Sequence, residues 1–125
     1  MKRIINTSNA PEAKGPYNQA VEVNDTLYVA GQIGMMPKNG VIVEGGIKAQ
    51  TKQTLDNIRA ILNEAGYTFE DIVKCTCFLT DFHDYKEFNE VYGEYFSSDA
   101  PARSTFGISA LPIGVKVKVD CIAVK

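Results

Sequence analysis

The stretch VKVKVDCIAV, residues 115–124, does more than any other to limit what this chain can become. Val115, Val117, Val119, Cys121 and Ala123 fall on one side, and Lys116, Lys118 and Asp120 on the other. A strict period of two over this length is a strand with one buried face. Elsewhere the period changes. Ile47, Thr51, Thr54, Leu55, Ile58, Ile61, Leu62 and Ala65 recur at spacings of three and four, which predicts an amphipathic helix closed by Gly66. Tyr85, Phe88, Val91, Tyr92, Tyr95 and Phe96 stripe a second helix. Asp84 and Glu87 stand before it at capping-box spacing.

Around these, short strands are expected at RIIN, YNQAVEVN, TLYVAGQIG, IVKCTCFLT and ARSTFGIS. Asn24-Asp25 reads as the turn of a hairpin, and residues 6–16 and 35–46 as loops. In IVKCTCFLT, Val73, Cys75, Cys77 and Leu79 share a face. The order β-β-β-α-β-α-β-β predicts a two-layer α+β domain, a mixed six-stranded sheet with two helices on one face. The 125 residues suit one domain spanning 1–125, which buries roughly two thirds of its unfolded surface. The far sheet face would carry Thr76, Phe78, Ile122 and Val124 beside the charges, a mixture that points to oligomerisation.

The net charge of −2 argues against a general grip on nucleic acid. No segment is apolar enough for a membrane span, and MKRIINTSNAPE lacks the apolar run of a signal peptide, so a cytoplasmic protein is expected. Cys75, Cys77 and Cys121 read as small core or interface residues in a reducing compartment. With His83 the only histidine, no metal cluster is expected. A Ser-His-Asp arrangement would need His83 as its base, and His83 falls in TDFHDY, a strand-to-helix junction where a lone histidine is ordinarily solvated. Neither a P-loop nor a dinucleotide fingerprint occurs.

What remains is DAPARSTFGISAL, residues 99–111, with Arg103 at the mouth of a half-buried strand. A guanidinium there is either one half of a surface or interface ion pair or a fork for a small carboxylate. Tyr17, after Gly15-Pro16, is either a cover for that ligand or simple packing. Gly31, inside a strand, marks either a bulge or the close approach of a ligand or another chain.

GPYNQA, YVAGQIG, the QTxxxLxNIxxILxEAG run, FNEVYGEYF and PARSTFGISALP occur in this order and at spacings that resemble the RidA family, also called YjgF or L-PSP proteins, over residues 3–124. The resemblance implies a chorismate-mutase-like fold and a homotrimer. In it three sheets line an inner β-barrel, and small-carboxylate sites lie in the clefts between subunits. It implies an enamine/imine deaminase that hydrolyses 2-imino acids to 2-oxo acids and ammonia without a cofactor. By the same resemblance Arg103 binds the substrate carboxylate and Tyr17 flanks the ligand. Gly31 and Thr105 hold it through their backbone, and Asn89 lies nearby.

The match has departures. A glutamate that positions the attacking water in the deaminating members aligns with Lys118, and the next glutamate with Asp120. Ala30 stands in place of the usual serine, and Thr105 in place of a frequent cysteine. The expectation is therefore a 2-imino acid deaminase with Arg103 and, at the family glutamate position, Lys118 as its catalytic pair. The alternatives are a non-deaminating trimeric small-carboxylate binding or regulatory protein, and an endoribonuclease or translation inhibitor of the L-PSP type.

Overall fold

A computed structural model describes residues 1–96 and 98–125. Six strands form one sheet: β1 (Arg3–Ile5), β2 (Ala20–Val23), β3 (Thr26–Gln32), β4 (Ile72–Leu79), β5 (Ala102–Gly107) and β6 (Val117–Val124). Two helices, α1 (Gly46–Ala65) and α2 (Tyr85–Tyr95), complete the α+β domain. The strand order is β1-β2-β3-β6-β4-β5. Only β4 and β5 pair in parallel, joined through α2; the other neighbours are antiparallel. β6, the last strand made, thus lies between β3 and β4 at the centre of the sheet. Its strict alternation explains the position: Val117, Val119, Cys121 and Ala123 are all buried.

The helix layer covers that same face. Ile47, Leu55, Ile58, Ile61 and Leu62 of α1 and Phe88 of α2 pack on the buried strand residues in one core. The three cysteines belong to it and are free thiols. α1 stops where Gly66 turns left-handed at φ 84°. There the Gly66 N–H donates to Asn63 and the Tyr67 N–H to Leu62, at 3.1 and 2.9 Å. Arg3 reaches across to donate to the Ala65 carbonyl at 3.0 Å and to Glu22 at 2.8 Å.

Several expectations need correction. The second strand begins at Ala20, leaving Tyr17 in the preceding loop. Val73 does not share the inner face with Cys75. An irregularity between Ile72 and Lys74 leaves Val73 unpaired, so Ile72 is buried while Val73 is 48% exposed. The capping box at Asp84 does not form, because a single 3₁₀ turn (Phe82–Asp84) runs straight into α2. Asp81 opens that turn instead and accepts the His83 N–H at 2.9 Å.

The far sheet face carries what the alternation promised. Thr76, Phe78, Lys118, Asp120 and Ile122 pair across β4 and β6 there. Tyr28 and Phe106 are each 50% exposed on it, with Phe78 and Phe106 stacked at 5.9 Å between centroids.

Glu22 gives this frame a pH dependence. Hydrogen bonds from Arg3 first, and from Tyr67, hold its carboxyl below the usual carboxylate range. A depressed carboxyl contributes stability above its unfolded value, about 4.3, and loses it as pH falls through the folded value. Glu22→Gln should therefore lower the thermal midpoint at pH 7 and bring it close to wild type near pH 3. An equal deficit at both pH values would contradict this.

Candidate functional site

Parallel pairing with β4 decides where Arg103 points. Cys75 is opposite Arg103 and Cys77 opposite Thr105, so both β5 residues face the helix layer. α2 lies over them, and its turns supply partners at i, i+4 and i+7. The Arg103 guanidinium donates to the Tyr85 hydroxyl and to Asn89 Oδ1, both at 2.8 Å. Its carbon lies 4.7 Å from the centre of the Tyr92 ring.

These partners are all neutral. Among the described residues no carboxylate lies within ion-pair distance of Arg103. Two of the five guanidinium N–H groups are committed to Tyr85 and Asn89. The side chain is half-buried, aimed and without a counter-charge. Of the surface or interface ion pair expected as one reading of this residue, the part within the chain is thus not what holds it. Thr105 Oγ1, two residues along the same face, is buried without a hydrogen-bond partner. Burial pushes the neighbouring thiols up, Cys75 to about 11 and Cys77 to about 12, so both stay protonated at neutral pH.

A second group forms at the other side of the sheet. Tyr17, Gly31 and Lys118 line a cavity of about 440 Å³, together with the 35–40 loop. Gly31 sits where the β3–β6 register slips between Val29 and Gln32, so the bulge reading is correct. A close approach is there too, but by this chain's own Lys118 rather than by a ligand or another chain. A Cβ on Gly31 would run into Lys118 Cε and lie 3.2 Å from both Cγ and Cδ. The lysine stem crosses the notch that the missing side chain leaves.

The loop bearing Tyr17 is fixed by Gln19, a residue the sequence reading passed over. Gln19 is 2% exposed. Its amide donates to the carbonyls of Thr7 and Pro11 at 3.0 and 2.7 Å and accepts the Thr7 N–H at 2.6 Å. Tyr85 was also missed as a site residue, although it stands four residues before Asn89 on one helix stripe.

Within the chain the six expected site residues therefore form two groups: Arg103 and Thr105 on β5 with Asn89 of α2 over them, and Tyr17, Gly31 and Lys118 around β3 and β6. Two strands, β6 and β4, separate β3 from β5, a span of about 14 Å at the usual strand spacing. Lys118 pairs with Phe78 on the opposite sheet face from Arg103. A pocket in which Arg103 clamps a ligand that Tyr17 covers does not exist within a single chain. Asp120 does not line the cavity either; it pairs with Thr76, and burial raises its carboxyl against the pull of Thr76 and Lys118. His83 is fully exposed, with Nδ1 2.9 Å from Asp81.

Fold and site define a class: an α+β domain whose sheet holds an aimed guanidinium that no carboxylate among the described residues answers. The chain belongs to the endoribonuclease L-PSP family, whose model matches residues 7–125. It is 43% identical over 125 residues to the human 2-iminobutanoate/2-iminopropanoate deaminase, covering all of this chain and 91% of that one. The structure of a putative endoribonuclease from Thermotoga maritima superposes with a TM-score of 0.98 at 42% identity, covering 100% of this chain and 98% of the other. E. coli TdcF with bound serine superposes at 0.94 and 37% identity, covering 98% of each chain. The RidA relationship and the mixed six-stranded sheet with two helices are thereby shown. Among the described residues no helix is long and apolar enough to cross a membrane.

The Gly31 notch can be tested by a double-mutant cycle. Gly31→Ala should cost about 1 kcal/mol of stability, and adding Lys118→Ala should recover most of it. Urea titrations in which the two losses simply add would show that the residues are not in contact.

Proposed function

We propose that this protein is a Rid-type deaminase of small 2-imino acids, acting in a cleft between two copies of the chain. The observation that carries the reading is Arg103, a guanidinium oriented by Tyr85 and Asn89 with no carboxylate to answer it. A free planar fork of this kind matches a substrate carboxylate. The separation of the two groups in one protomer supports a composite site. Arg103 of one copy holds the carboxylate, while Tyr17, Gly31 and Lys118 of another close the cleft. The part-apolar far face of the sheet supports a homotrimer with that face inside, as an inner β-barrel. The serine bound to TdcF and the activity in the human relative's name supply the ligand class: a small acid with nitrogen beside its carboxylate.

The reaction asks little of the protein. Water adds to the iminium carbon, the carbinolamine passes a proton from oxygen to nitrogen, and the C–N bond breaks. The protonated 2-imino acid and water thus become a 2-oxo acid and ammonium. Positioning and one proton relay suffice, and no cofactor enters. Here Lys118 takes the place at which the resemblance puts a carboxylate. An ammonium there cannot draw a proton from the attacking water until it is itself deprotonated, so the step is expected to be slow.

Lys118 also favours a second reading, a binding or regulatory protein that holds the same acids without hydrolysing them. An endoribonuclease has less behind it: the only histidine is exposed on a 3₁₀ turn and engaged with Asp81.

An assay of 2-iminobutanoate, generated in situ by a threonine dehydratase, separates the readings. The wild type should accelerate its loss, Arg103→Ala should lower kcat/KM about a hundredfold, and Lys118→Glu should raise it. No acceleration by wild type together with a gain in Lys118→Glu would leave the binding reading. No acceleration by either would overturn the deaminase.

A further inference from the structure

The cleft proposed above holds more positive charge than one carboxylate can answer. Lys118 is half-buried, and its stem is laid across Gly31 on the way to the cavity it lines. Lys14 and Lys38 line the same cavity, and the only carboxylate among its lining residues is that of Glu12. Among the described residues none of these three lysines makes an ion pair. Asp120, the next outward residue on β6, feels Lys118 but makes no ion pair with it; it pairs with Thr76 and does not line the cavity. Arg103, on the other side of the composite site, is likewise unanswered. A monocarboxylate neutralises Arg103 and leaves the lysine side of the cleft positive.

We propose that the ligand is a dianion, a 2-oxo or 2-imino acid with a second carboxylate at its far end, and that Lys118 selects it by pairing with that second carboxylate. This rests on the reading of Arg103 as the clamp for the first carboxylate. Lys118 then acts as a specificity residue. The lysine gives up the water-positioning role of a carboxylate and gains a charge that discriminates between substrates. The bare Gly31 beneath it is part of the device, because a side chain there would push the ammonium out of place. An uncharged tail of the same length offers nothing to Lys118 and leaves its charge partly desolvated, so the site discriminates by penalty as well as by attraction.

Two acids of identical chain length provide the test: 2-oxoglutarate and 2-oxopentanoate, which differ only in a terminal carboxylate against a methyl group. Calorimetric titration of the intact wild-type protein should give at least about tenfold tighter binding of 2-oxoglutarate. The preference should shrink as salt is raised from 50 to 500 mM. In Lys118→Gln the ratio of the two affinities should fall to about one. Equal affinities in the wild type, or a preference that survives Lys118→Gln, would overturn the proposal. Arg103→Ala reports on the clamp separately: a loss of at least tenfold for both acids sustains it even where the dianion preference is absent. If neither acid binds the wild type, clamp and dianion selection fall together.

Discussion

The organisation of this protein turns on a guanidinium that is held but not neutralised. Arg103 is gripped by a phenol, an amide and an aromatic ring, none of which carries a charge. Neutral acceptors fix the orientation of the fork while leaving its charge to attract an anion. A carboxylate in either place would have fixed it equally well and cancelled its use. The arrangement depends on the one parallel pair in the sheet. Only because β4 returns through α2 to β5 does the helix lie over Arg103 with Tyr85, Asn89 and Tyr92 on a single stripe. The Cys75 and Cys77 side chains on β4, beside Arg103 and Thr105, are small, buried and protonated, and serve as packing.

The second half of the site depends on the central strand. β6 buries valines on one face and sends Lys118 to the other, beside a bulge in β3 where Gly31 leaves a notch for the lysine stem. Two groups so placed, on opposite faces of the sheet with β4 or more between them, cannot meet around one small molecule in one chain. The composite site proposed between copies would resolve this, and it would also give the apolar residues of the far sheet face something to cover them.

Much of this was legible in the residues. The change of period from two to about three and a half separated strands from helices. Gly66 marked the end of α1, where the left-handed turn it permits is found. The motif around Arg103 marked the residue that the structure holds between Tyr85 and Asn89. What the sequence hid is long-range. The pairing partner of each strand determines which face Arg103 takes, and nothing in residues 102–109 announces that β5 lies beside β4. Val73 was misplaced because a bulge shifts the alternation by one residue, and a bulge leaves little local trace in a β-branched run. Asp84 and Glu87 had the spacing of a cap, yet the helix was already under way at Asp84. Gln19 and Tyr85 looked like ordinary loop and stripe residues. Their roles lie in bonds to Thr7 and Pro11 and to Arg103, far away in sequence.

The measurement that bears most directly on all of this is a crystal structure of the assembled protein with 2-oxobutanoate bound. The expected result is the acid's carboxylate on the Arg103 fork, with Tyr85 and Asn89 unmoved, and with Tyr17 and Lys118 of a neighbouring copy closing the cleft. Arg103 paired instead with a carboxylate side chain of the neighbouring copy, and the acid absent from it, would contradict the reading of this residue as a ligand clamp.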